Sequence, residues 1–118
     1  MATHSFRDLT VWQRSMVLVE SIYSIINKLP KTEQFALADQ MRRSAVSVPS
    51  NIAEGQKRLN RKETIQFCGI ALGSLAELQT QLIISSNIYQ IDTDALVDEC
   101  DQIGKMLTAL IRSLRSKN

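Results

Sequence analysis

One histidine, His4, is all this chain has, and the shortage excludes several chemistries at once. Helical bundles that hold two metal ions use Glu-x-x-His pairs, and none of Glu20, Glu54, Glu63 and Glu77 has a histidine three residues on. A Cys–His or Ser–His nucleophile pair has to recruit that same residue from the chain's first positions. The two cysteines, Cys68 and Cys100, stand far apart without further soft ligands, short of a zinc set and best read as reduced, buried small hydrophobes. Only four glycines occur, Gly55, Gly69, Gly73 and Gly104, and their dispersal leaves no phosphate-cradling loop. The expectation is a protein that is not an enzyme and that holds no cofactor and no metal. The longest early apolar run, Met16 to Val19, is too short to cross a bilayer, and the first eight residues lack the apolar core of a signal peptide. A cytoplasmic, membrane-free location is therefore expected. Nor is there an excess of one charge. Fourteen Lys and Arg against twelve Asp and Glu leave +2, so the placement of charge matters more than its total.

What is present is helical periodicity. With 44% hydrophobic and 22% charged residues, the 118-residue chain has the composition of one globular domain spanning 1–118. Residues 1–8 are read as a mobile N-terminal segment and 116–118 as a C-terminal tail. A first segment, about Leu9 to Leu29, carries Leu9, Trp12, Met16, Val19, Tyr23 and Ile26 three and four apart, beside a second stripe of Leu18, Ile22, Ile25 and Leu29. Pro30 stops it, and Thr32 is placed to cap the next segment, about Glu33 to Glu54, which Gly55 is expected to end in a left-handed conformation. Asn60 and Glu63 form a capping-box pattern before a third segment, about Arg61 to Tyr89, with Cys68, Ala71, Leu75, Leu78 and Leu82 on one stripe. Asp92 or Thr93 can cap the fourth, where Leu96, Cys100, Ile103, Leu107, Leu110 and Leu114 repeat up to Arg115. Short connections make sequential neighbours antiparallel. The prediction is an all-α, up-down-up-down antiparallel four-helix bundle, its second helix kinked at Pro49. The apolar faces of the first and third helices are wider than a bundle seam requires, so Trp12, Ile22, Ile25 and the Gly73–Ser74 patch are expected to serve a second copy of the chain.

The most informative stretch runs from Gln40 to Gly55. Met41, Ala45, Val48 and Ile52 mark one helix face, and Gln40, Ser44, Ser47, Asn51 and Glu54 mark a stripe beside it. Pro49 cannot donate to the carbonyl of Ala45, so Asn51 and Glu54 are expected to satisfy groups freed by a bend. A matching stripe of Ser74, Glu77 and Gln81 lies on the third helix, where Glu77 can pair with Arg42 or Arg43 within the bundle or across a subunit contact. The connector supplies the functional candidate. Lys57, Arg58, Arg61 and Lys62 set four cations within six residues, with Arg42 and Arg43 on the preceding helix and Arg112, Arg115 and Lys117 at the far end of the chain. Such a cluster can neutralise phosphates and release their counterions; read plainly, it is also a solvated loop that keeps the protein soluble. Aromatic residues do not interleave with it, which disfavours base stacking.

Three stretches carry a family resemblance: Phe6 to Gln13, Gln40 to Gly55, and Ala71 to Leu78. They resemble the 23S rRNA intervening-sequence proteins, four-helix bundles first noticed as reading frames inside insertions in ribosomal RNA genes. The resemblance implies an up-and-down bundle that assembles as a ring, typically a pentamer, and does not bring an assigned activity. Related bundles accompany the reverse transcriptases of diversity-generating retroelements and look like basic barrels that hold nucleic acid and the polymerase. This chain departs from them in its near-neutral charge. The functional expectation is a homo-oligomeric, non-enzymatic module that binds nucleic acid, RNA or DNA, through the basic loop; the competing one is a scaffold for a protein partner through the polar stripe, for example as an accessory subunit of a reverse transcriptase.

Overall fold

The computed structural model describes residues 5–116 and forms an up-down-up-down bundle of four helices: α1 (Thr10–Ile26), α2 (Leu37–Gln56), α3 (Arg61–Tyr89) and α4 (Asp94–Ser116). No strand occurs among the described residues. The bundle measures 49 × 21 × 19 Å, about as long as α3 at 1.5 Å per residue. The α2–α3 pair is the most extensive contact and α1–α4 the least, while α1 and α3 lie diagonally apart.

The periodic positions build the core. Cys68, Ala71, Leu75, Leu78 and Leu82 of α3 meet Met41, Ala45, Val48 and Ile52 of α2 and Cys100, Ile103 and Leu107 of α4, all buried. On α1 it is the second stripe that goes inside. Leu18, Ile22, Ile25 and Leu29 are buried, whereas Met16 and Tyr23 of the first stripe are exposed. Ile22 and Ile25 are therefore core residues and cannot serve a second copy, nor can the buried Ser74; Trp12 remains half-buried at the surface.

Several helix ends differ from the sequence reading, each for a local reason. Ser5 to Asp8, expected to be mobile, form a 3-10 turn closed by a capping box: the Ser5 hydroxyl takes the Arg7 N–H at 3.1 Å and the Asp8 carboxylate takes the Ser5 N–H at 3.3 Å. The turn is fixed to α1 by the Phe6 ring set edge-on to Trp12, centroids 5.3 Å apart. Residues 1–4 of that segment, and 117–118 of the tail, lie outside the described residues. α1 ends at Ile26 and α2 begins only at Leu37, because Lys31–Glu33 wind into a separate 3-10 turn and Ala36 takes φ −121°, ψ −104°. Thr32 is exposed within that turn and caps nothing; the Glu33 carboxylate accepts the Leu37 N–H instead, at 3.3 Å, and also the Tyr89 hydroxyl. That bond raises the Tyr89 phenol above its ordinary range. Asn60 caps α3 as expected, accepting from the Glu63 N–H at 2.9 Å while its own amide donates to the Glu63 carboxylate. At α4 the Asp92 carboxylate takes the Asp94 N–H, and the Thr93 hydroxyl turns inward to the carbonyl of Leu82.

Gly55 is the largest correction. It sits inside α2 with no positive φ; the one left-handed residue among those described is Gln90, after α3. Its glycine is needed for space: a Cβ there would stand 2.9 Å from the Phe67 Cβ and 3.3 Å from the Thr64 carbonyl. α2 also stays helical through the buried Pro49.

This packing has two consequences for stability. Gly55→Ala should cost about 1–3 kcal/mol through overpacking, whereas Gly69→Ala, with open space around it, should stabilise by up to about 1 kcal/mol; urea denaturation of both variants checks the contrast. Burial pushes the Cys68 thiol up, and burial with the Asp101 and Glu99 carboxylates pushes Cys100 up to about 12. An unfolded Cys100 ionises near 9 while the folded one stays protonated, so its contribution is intact below pH 9 and is lost as pH rises from 9 to about 12. Denaturation across that window should show a decline, by about 1.4 kcal/mol per pH unit at most from this group, that Cys100→Ala flattens.

Candidate functional site

Up-down-up-down topology brings the α2–α3 connector to the same end of the bundle as the start of α1 and the finish of α4. Arg61 donates to the carbonyl of Leu114 across 3.4 Å, tying the first turn of α3 to the last turn of α4. That end gathers Arg7, Lys57, Arg58, Arg61, Lys62, Arg112 and Arg115, seven cations against the three carboxylates of Asp8, Glu54 and Glu63. The rest of the described chain reverses the balance, with six cations against nine carboxylates. The near-neutral total conceals a molecule with a basic end and an acidic remainder.

The connector cations differ in how committed they are. Arg58 is held in the fold, 2.6 Å from Glu54 and 3.8 Å from Glu63, with its guanidinium 4.5 Å from the centre of the Phe67 ring. Lys57 and Lys62 are exposed and make no ion pair among the described residues. Arg61 and Lys62 occupy the first turn of α3, the positive end of its dipole, where acidic residues are the favourable choice. Arg42 and Arg43 do not join this end. They lie about 21 Å farther along α2 and share Asp39, at 3.7 and 2.9 Å, with Arg42 also donating to the carbonyl of Gln34.

The polar stripe of α2 faces α3 as a close-packed seam. The Ser47 and Ser74 hydroxyls meet at 2.8 Å, and the Asn51 amide donates to the carbonyl and hydroxyl of Ser47. Ser44 is buried and donates to the Gln40 carbonyl. The carbonyl that Asn51 reaches is Ser47's, not the one Pro49 leaves at Ala45, and Glu54 pairs with Arg58; neither residue answers for the proline as expected. Glu77 is exposed and meets neither arginine, since both are turned to Asp39. Gln81 is buried, and its Oε1 has no hydrogen-bond partner. Sequence reasoning missed Thr64, whose hydroxyl donates to the Gly55 carbonyl at 2.9 Å; nothing in its spacing sets it apart from any threonine early in a helix.

Several grooves flank the bundle among the described residues. One of about 600 Å³ lies between α3 and α4, rimmed by Asp98 and Asp101 toward one end and by Lys105 and Arg112 toward the other. A smaller one of about 360 Å³ lies between α1 and α2, lined by Trp12, Met16, Val19, Val46, Pro49 and Ala53. The described residues contain no group of three or more His, Cys, Asp and Glu placed to hold a metal ion.

Comparison with known proteins agrees with this architecture. Among solved structures, the chain is similar to a protein of unknown function from the S23 ribosomal protein family of Bacteroides thetaiotaomicron, with a TM-score of 0.80 and 23% identity over 86% of this chain and 98% of that one. At that identity the likeness concerns the fold. No curated protein matches the chain. The sequence profile of the 23S rRNA-intervening sequence proteins matches residues 7–109, nearly the whole bundle from the first 3-10 turn to the last turns of α4, and the chain belongs to that family.

Proposed function

We propose that this protein is a self-associating, non-enzymatic module that holds RNA on its basic end. The observation that carries the reading is the gathering of seven cations against three carboxylates at one end of the bundle. Arg7, Lys57, Lys62, Arg112 and Arg115 are exposed, while Arg58, exposed too but paired with Glu54 and Glu63, orders the connector from which Lys57 and Lys62 project. A phosphate there relieves the unfavourable placement of Arg61 and Lys62 at the positive end of α3. One bundle end offers few phosphate contacts. Repetition of that end in an oligomer, the pentameric ring of the family resemblance, multiplies a weak patch into useful avidity with no new chemistry.

A protein scaffold acting through the α2 polar stripe is less well supported, because Ser44, Ser47 and Asn51 are engaged in the α2–α3 seam. Salt separates the two readings. Binding of a labelled single-stranded RNA, followed by fluorescence anisotropy, should weaken steeply with NaCl. Lys57→Ala with Lys62→Ala should lower affinity and reduce the log–log slope by about 0.7 for each phosphate that the variant no longer neutralises. Wild-type protein that shows no salt-sensitive binding to RNA or DNA, even at low salt, overturns the reading in favour of the scaffold.

A further inference from the structure

The connector between α2 and α3 sets its cations around an apolar side chain. Leu59 is 101% exposed, more than any other large hydrophobic residue among those described; the next, Phe35, is 86% exposed at the opposite end of the bundle. Single apolar side chains on a surface are ordinary. This one differs in how it is held. On its N-terminal side, the Arg58 N–H donates to the Gly55 carbonyl at 3.2 Å, and the Arg58 guanidinium is fixed by Glu54, Glu63 and the Phe67 ring. On its C-terminal side, Asn60 exchanges hydrogen bonds with Glu63, and its carbonyl accepts the Thr64 N–H at 3.3 Å. Anchored through both of its neighbours, Leu59 is a fixed projection, so little conformational freedom is lost when a ligand covers it.

Lys57 and Lys62 stand on either side of Leu59 in the chain, exposed and without an ion pair among the described residues. We propose that Leu59 is a wedge that enters an RNA helix at a bulge, where one base step is already open, with Lys57 and Lys62 on the neighbouring phosphates. This rests on the RNA binding proposed for the basic end and names the class of RNA. Cations alone hold any phosphate backbone alike, and an apolar group among them gains nothing from phosphate. It gains from a base face. An uninterrupted A-form duplex keeps its base faces inside the stack, and opening a step costs about as much as burying one leucine returns. At a bulge the step is open beforehand, so the burial of Leu59 appears as affinity. A flexible single strand also exposes its bases, but it is held best by aromatic platforms. At this end the Phe6 ring is packed on Trp12 and beneath Arg7, and the Phe67 ring lies beneath Arg58.

Fluorescence anisotropy of the full chain with three labelled RNAs tests the wedge: a duplex with a single-adenosine bulge, the same duplex uninterrupted, and an unstructured single strand of equal length. Wild type should prefer the bulged duplex. Leu59→Ala should weaken that complex about tenfold while leaving the uninterrupted duplex and the salt slope unchanged, because it removes apolar burial and no phosphate contact. Circular dichroism should show the variant fully helical, since Leu59 is outside the packed core. A 2-aminopurine placed beside the bulge should brighten when wild type binds and not when Leu59→Ala binds. Equal, salt-sensitive affinity of wild type for bulged and uninterrupted RNA, or a Leu59→Ala variant that matches wild type in affinity and fluorescence, overturns the wedge and leaves the basic end standing. Absence of salt-sensitive binding to all three RNAs overturns the reading on which the wedge rests. Loss of binding to phosphatidylserine vesicles by Leu59→Ala, with its RNA affinities unchanged, rejects the wedge in favour of a lipid surface.

Discussion

The close approach of α2 and α3 is the contact on which the rest of the bundle depends. Small residues line both sides of it, with Ser44, Ser47 and Gly55 on α2 and Thr64, Ala71 and Ser74 on α3. At Gly55 the space is used up, because even one added carbon would overlap Phe67. Polar atoms enclosed this tightly must find partners inside the seam, and the Ser47–Ser74 and Thr64–Gly55 hydrogen bonds provide them. Each can form in only one alignment of the two helices, so the seam sets register as well as distance. Gln81 Oε1 is the acceptor it leaves unmatched.

That seam also decides what remains outside. With its small polar stripe spent on α3, α2 turns Val46 and Pro49 toward α1 and completes the groove beside Trp12. α3 buries one face on α2 and another on α4, leaving Ile70, Ile84 and Ile88 exposed. Charge is sorted along the other axis. α4 begins among acidic residues and ends among basic ones, following its own dipole, and the antiparallel topology sets its basic end beside the α2–α3 connector. At that junction the first turn of α3 carries cations against its dipole, a local cost that a bound anion offsets.

Helix number, the α3 and α4 core stripes and the Asn60 cap were legible in the sequence, because each depends on residues within a turn or two of one another. The α1 face was only half legible. Its two apolar stripes are equally periodic, and the choice of Leu18, Ile22 and Ile25 for the core over Met16 and Tyr23 was made by where α2 and α4 lie. The same holds for the polar stripe of α2, whose pattern is plain but whose partners are on another helix. Gly55 shows the limit sharply: next to a loop, a glycine suggests a chain reversal by its torsional freedom, and only the neighbouring Phe67 reveals that the position is short of room.

By itself, then, the sequence determined the four amphipathic segments, their antiparallel succession and the presence of a basic connector, since periodicity, short loops and local charge are properties of neighbouring residues. Tertiary structure alone decided that Arg7, Arg112 and Arg115 join the connector, and that Ser47 of α2 meets Ser74 of α3. The reason is geometric: electrostatic and packing partners are fixed by distances in space, and in a bundle those distances follow from how helices far apart in the chain are laid side by side.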